Sequence, residues 1–207
     1  MKIPNQATLN PQQSWISRRS FLAKATSTAL ALTLGNWTKA QNGTLVVPVK
    51  WNPSFELGIN FTLQASSGSF YNRPYVAVWL EDASGNAVRT LELWMKSGRG
   101  GARYLEHLTR WIRDEDSRQS KDGGDLASSI SSPTREAGKY SLVWDGKNDK
   151  KLPVDQGTYF ICIETAREHG PYQLVREAVI LGAKPLSKKL TGDGELKEVS
   201  VDYRKRK

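Results

Sequence analysis

The run KYSLVWDGKNDKKLPVDQGTYFICIET, residues 139–165, holds two alternating stretches around a polar centre. In the first, Tyr140, Leu142 and Trp144 alternate with Ser141 and Val143; in the second, Tyr159, Ile161 and Ile163 alternate with Phe160 and Cys162. Strand side chains point to opposite faces with period two, so both stretches read as β-strands. The second is apolar on both faces, as a strand buried between two layers must be. Asp145, Gly146, Asn148, Asp149, Pro153 and Gly157 between them favour turns. The pair reads as a hairpin.

Outward from it, the same period recurs. Thr44–Trp51 reads as a first strand, interrupted at Pro48, which cannot donate to a ladder. Phe55, Leu57, Ile59, Phe61 and Leu63 alternate with Glu56, Gly58, Asn60 and Thr62, the pattern of a half-buried strand. Ser66–Ser69 reads as a loop. Tyr75–Leu80 is apolar on both faces and, across the Glu81–Asn86 turn, pairs with Val88–Trp94. Leu174–Leu181 and the Val199, Val201, Tyr203 alternation supply two more strands. Only Gly101–Arg113 changes period. Tyr104, Leu105, Leu108, Trp111 and Ile112 recur at spacings of three and four there, one stripe of a short amphipathic helix. Gly98, Gly100 and Gly101 before it read as a hinge, and Asp114–Pro133, poor in apolar residues, as a mobile loop. Seven or eight strands with one helix on a crossover predict an all-β protein, an antiparallel immunoglobulin-like sandwich. The strand tryptophans Trp51, Trp79, Trp94 and Trp144 are expected in its core.

Residues 1–40 read as a twin-arginine signal peptide. Arg18 and Arg19 are followed by Phe21, Leu22 and Lys24, then by a mildly apolar run over residues 25–34 and by Thr38-Lys39-Ala40, which predicts cleavage after Ala40. The apolar run is too short for a stable membrane span, so no transmembrane segment is expected in the mature chain. The signal holds five of the 30 Lys/Arg and none of the 21 Asp/Glu, which leaves 25 bases against 21 acids. That net +4 equals the charge of Arg204–Lys207, read as a solvated basic tail; the body is balanced, and a nucleic-acid partner is not expected. Residues 41–203 are expected to form a single domain. Cys162, the only cysteine, reads as a small buried residue in mid-strand.

Chemistry-bearing residues are sparse. Glu164, Arg167, Glu168 and His169 bunch at the exit of the central strand, where carboxylates and imidazole suit a metal or a haem iron. His107, at the margin of the helix stripe, is a candidate second nitrogen ligand. Asp145, Asp149 and Asp155 lack the spacing of an EF-hand loop. No nucleophile elbow, H-E-x-x-H pair or phosphate-cradling glycine loop is present.

Four segments together resemble a family of predicted periplasmic proteins known as a domain of unknown function: YNRPYVAVWLEDASGNAVRTLELW (71–94), RYLEHLTRW (103–111), SSISSPTREAGKYSLVWDG (128–146) and GTYFICIETAREHG (157–170). The resemblance covers roughly residues 45–182. It implies a periplasmic setting, and the family's members are often encoded near flavin transferases and PepSY-type membrane proteins. Residues 144–160 are also similar to immunoglobulin-like modules of the flagellar hook-cap type, which bears on fold alone. The company of flavin transferases makes Thr134 a candidate acceptor for covalent flavin. Ser131 fits the acceptor pattern, while Ser128, Ser132 and Pro133 stand where Asp, Gly and Ala are expected. The expected function is that of an exported, non-catalytic binding or accessory protein of a redox or metal-uptake system. The alternatives are a flavin- or haem-carrying redox subunit and a structural adaptor that docks a membrane-protein partner along a sheet edge.

Overall fold

A computed structural model describes residues 47–65, 72–96, 101–190, 192 and 194–206. The expected signal residues Arg18, Arg19, Phe21, Leu22 and Ala40, the loop at 66–69, Gly98 and Gly100 lie outside the described residues. Among these residues nine strands run in chain order: β1 Phe55–Leu63, β2 Tyr75–Asp82, β3 Ala87–Met95, β4 Ser131–Pro133, β5 Gly138–Trp144, β6 Gly157–Ala166, β7 Gln173–Leu181, β8 Leu186–Leu190 and β9 Leu196–Lys205. They form a four-stranded sheet of order β5-β1-β9-β8 and a five-stranded sheet of order β4-β3-β2-β6-β7. Every pairing is antiparallel except the short parallel one between β3 and β4. The protein is an all-β sandwich.

The inner faces of the two sheets bury one core. Phe55, Leu57, Ile59, Phe61 and Leu63 of β1, the alternating half of that strand, meet Val76, Val78, Leu80, Ile161 and Ile163 from the other sheet. Aromatic rings bridge the layers, with Phe61 and Trp94 centroids 6.0 Å apart and Trp144 and Tyr159 5.5 Å apart in an edge-on contact.

A second layer explains why β2 and β6 are apolar on both faces. A 3₁₀ helix, Gly101–His107, and the helix α1, Thr109–Asp122, cover the outer face of the five-stranded sheet. Leu105, Leu108 and Trp111 bury themselves against Ala77, Trp79, Leu93 and Cys162. The stripe expected as one helix over Gly101–Arg113 is thus split, and Leu108 at the junction is fully buried.

Several expectations need correcting. Asp114–Pro133 is not a loop: it contains the rest of α1, the helix α2 (Leu126–Ile130) and β4. Ion pairs hold this polar segment where apolar contacts are few, Arg118 with Glu115 at 2.6 Å and Lys150 with Asp122 at 2.8 Å. The Lys139–Thr165 hairpin is not a hairpin either. β5 pairs with β1 and β6 with β2 and β7, so the polar centre carries the chain from one sheet to the other. Twelve residues leave room for this crossing, and positive φ at Gly146 (76°) and Lys151 (64°) turns it. Within the expected first strand, the described part forms only an isolated bridge, Lys50 to Asp155. β4 and β8 were not expected: β4 is three residues long, and Lys188 and Lys189 in β8 hide its alternation. The basic tail begins inside β9, where Arg204 Nη2 lies 2.9 Å from Glu56 and Arg204 Nη1 2.8 Å from Asp202.

Candidate functional site

At one end of the five-stranded sheet, the start of β2, the end of β3, the residue after β4 and the segment after β6 converge. Asn72, Arg73, Tyr75, Lys96, Thr134 and Glu168 line a cavity there of about 270 Å³. β4 pairs alongside β3, and Thr134 N–H donates to Met95 O at 3.2 Å, which seats Thr134 beside Lys96. β2 and β6 run antiparallel with Tyr75 opposite Ala166, so Glu168 lands near the Tyr75 side of the opening.

Rings floor this end. Tyr75 stacks on Tyr104 at 5.7 Å and on His107 at 5.8 Å. The Tyr104 hydroxyl accepts from Arg103 Nη2 at 2.7 Å and Lys96 Nζ at 3.3 Å. Hydrogen bonds from those two cations hold it below the ordinary tyrosine value. Burial, with the Glu168 charge and Tyr104 nearby, pushes Tyr75 the other way. Arg73 pairs with Glu136 at the rim. The cavity thus offers two cationic side chains, one carboxylate, an amide and an aliphatic hydroxyl beside a tyrosine wall. That set suits a small anionic molecule with a planar ring.

Thr134 and Glu168 therefore meet at this cavity, and His107 lies behind its floor. The remaining expected residues go elsewhere. His169 is exposed beyond the end of β6. Arg167 and Glu195 form a buried pair at 2.8 Å. Glu164 is fully buried and spends both oxygens on α1, accepting from Arg110 N–H at 2.9 Å and Trp111 N–H at 2.8 Å. It anchors the open amides of the first turn, as a capping carboxylate does. Burial raises its pKa, against the lowering pull of those two amides. Among the described residues, no three His, Cys, Asp or Glu side chains gather as a metal ion requires.

Sequence reasoning missed the largest polar cluster. Glu81, fully buried on β2, takes Arg110 Nη2 and Arg176 Nη2, each at 2.7 Å. Arg110 also binds Asp114 at 3.1 Å, and Trp79 Nε1 donates to Asp114 at 3.3 Å. Burial alone would raise Glu81, but hydrogen bonds from Arg176, Asp114 and Arg110 outweigh it and hold the carboxyl below its ordinary value. Asp114 is raised, by burial and by sharing a hydrogen bond with Glu81. Burial also raises the Cys162 thiol far above its ordinary value, which leaves it an unreactive packing group. The cluster clamps α1 to the sheet. Its sequence signal was partial: Glu164 directly follows the apolar run Tyr159–Ile163, whereas Glu81, directly after Tyr75–Leu80, read as the start of a turn but belongs to β2.

A helix-backed β-sandwich with a ligand-sized, cation-lined cavity at one end is the class that fold and site define. The chain belongs to the family described as Predicted periplasmic protein (DUF2271), whose model matches residues 56–198. No curated protein and no solved structure matches it. Among the described residues no helix is long and apolar enough to cross a membrane.

Proposed function

We propose that this protein, exported through the twin-arginine route, serves a periplasmic redox or metal-uptake system by binding rather than by catalysis. Its ligand occupies the cavity between Tyr75, Lys96, Thr134 and Glu168. The observation that carries this reading is the convergence of Thr134 and Glu168, from separate stretches of chain, on one opening with Arg73 and Lys96. The redox or metal-uptake setting rests on the genomic company that the resemblance implies. Native mass spectrometry of the protein purified from its own periplasm tests it. The expected result is a species heavier than the bare mature chain, lost in Lys96→Glu. Bare mature chain alone in the wild type rejects the reading.

A second reading has its own support: Thr134 lines the cavity, so its hydroxyl is a candidate carrier for a flavin phosphate. The surroundings fit in part. Arg73 and Lys96 suit a phosphate and Tyr75 a planar ring, and two residues before Thr134 the Ser132 hydroxyl is buried without a partner. Pro133 removes a backbone donor from the turn a transferase must grip. When bound, a flavin would supply electron transfer, and this chain's residues would hold its phosphate and shield its ring. A mass increment that survives denaturation and vanishes in Thr134→Ala supports this reading; its absence leaves only non-covalent binding.

A further inference from the structure

Among the described residues no helix covers the outer face of the four-stranded sheet, and its side chains stand in rows. Asn60 on β1 sits opposite Ser141 on β5 and Ser200 on β9, and Ser200 opposite Lys189 on β8. Neighbouring strands lie about 4.8 Å apart, so the line from Ser141 to Lys189 spans roughly 14 Å. The side chains of Ser141, Asn60 and Ser200 make no hydrogen bond to another described residue. Lys189 has no ion pair among the described residues.

Both flanks of this line are occupied by charges that satisfy each other. On one side Glu198 accepts from Thr62 Oγ1 at 3.0 Å and pairs with Lys139 at 3.3 Å. Glu198 holds φ +48° at a bulge in β9, where the register against β1 shifts between Asn60 and Thr62. A non-glycine residue in that conformation is strained, and the bulge turns its carboxylate across the sheet. On the other side Arg204 joins Glu56 and Asp202 and lies low over Gly58, where a Cβ would come within 3.1 Å of its guanidinium. A trough of about 510 Å³ follows this line, lined by Asn60, Ser141, Ser200 and Lys189 and walled on the Glu198 side by Thr62 and Lys139.

We propose that this trough binds a glycan strand laid across the four β-strands, with an acidic sugar at the Lys189 end. The groups left to solvent along the line are hydroxyls and an amide, which donate and accept alike, as sugar hydroxyls require. Their spacing is close to one pyranose unit of an extended chain. The flanking charges are already paired with each other, so they do not draw in a free ion. Lys139 and Lys189 against Glu198 leave one positive charge to meet a carboxylate. The site is separate from the Thr134 cavity, and either can exist without the other.

The test is titration of ¹⁵N-labelled protein with two probes: a β-1,4-linked tetramer of N-acetylglucosamine, and a tetramer alternating it with carboxylate-bearing N-acetylmuramic acid. Both should shift the amides of Ser141, Asn60, Ser200 and Lys189, and the acidic tetramer should bind several-fold tighter. Lys189→Ala should bring the acidic tetramer down to the neutral one. Asn60→Ala should weaken both roughly tenfold, the loss of one or two hydrogen bonds. Asn60 contacts no other side chain by hydrogen bond, so this variant keeps the fold, which its spectrum verifies. Absence of shifts on these strands with both probes, or unchanged binding by Asn60→Ala, overturns the proposal.

Discussion

Glu81 shows how one residue fixes the helix layer. Two arginines from different elements meet its carboxylate; in Glu81→Gln Arg176 would lose its ionic partner and Arg110 one of two. Removing one member of a buried ion cluster costs about 3–5 kcal/mol, so thermal denaturation of Glu81→Gln should show a loss of that order. The pH dependence has a definite sign. Glu81 is held below its unfolded value of 4.5, so its contribution is complete above that pH and fades as the pH falls toward its folded value. Glu164 is raised above 4.5, so its contribution is complete below that pH and is lost as the pH rises through its folded value. Glu164→Gln does not titrate. Its stability relative to the wild type should therefore improve between mildly acid and mildly alkaline buffer, as denaturant midpoints at the two pH values would show. At the cavity, a spectrophotometric titration should reveal one tyrosine ionising earlier than the rest. That component should disappear in Tyr104→Phe.

At the scale of elements, the connection from β5 to β6 was the least legible part. Its strands were plain in the alternation of Tyr140–Trp144 and Tyr159–Ile163, but pairing is set by partners far away in sequence. β5 finds β1 and β6 finds β2. The turn residues were read correctly and their consequence was not. Gly146, at φ 76°, lies under the Trp51 ring, where a Cβ would come within 2.2 Å. Gly146→Ala combines a left-handed backbone penalty of about 1–2 kcal/mol with overpacking of about 1–3 kcal/mol. A fall in melting temperature with altered tryptophan emission is the expected outcome. The second half of α1 was illegible for a different reason. Counting apolar residues finds a helix that packs by a stripe, whereas Asp114, Glu115 and Arg118 pack by ion pairs. Trp111, buried and donating to Thr90 Oγ1 at 3.2 Å, anchors that helix. Its replacement by alanine should cost about 3–5 kcal/mol, and trypsin should then cut at Arg118 and Lys121.

For the whole molecule, the two-faced apolar strands Tyr75–Leu80 and Tyr159–Ile163 were legible as buried on both sides, but that the helix stripe covers one of those faces shows only in the packing of Leu105, Leu108 and Trp111. The bare outer face of the other sheet followed from the polar alternation of Glu56, Gly58, Asn60 and Thr62 along β1. The cavity was half legible: Glu168 stood out in the charged bunch after the central strand and Thr134 only through the resemblance, and the parallel pairing of β3 with the three-residue β4 is what brings the second to the first. The shared opening is why we propose that end of the sandwich as the binding end. The most direct measurement is hydrogen–deuterium exchange on protein as isolated from its own periplasm, beside the same protein stripped of small molecules and refolded. The account predicts slower exchange in the isolated form at the start of β2, the end of β3, and around Thr134 and Glu168. Exchange at that end identical in the two samples, whatever happens on the four-stranded sheet, would contradict it.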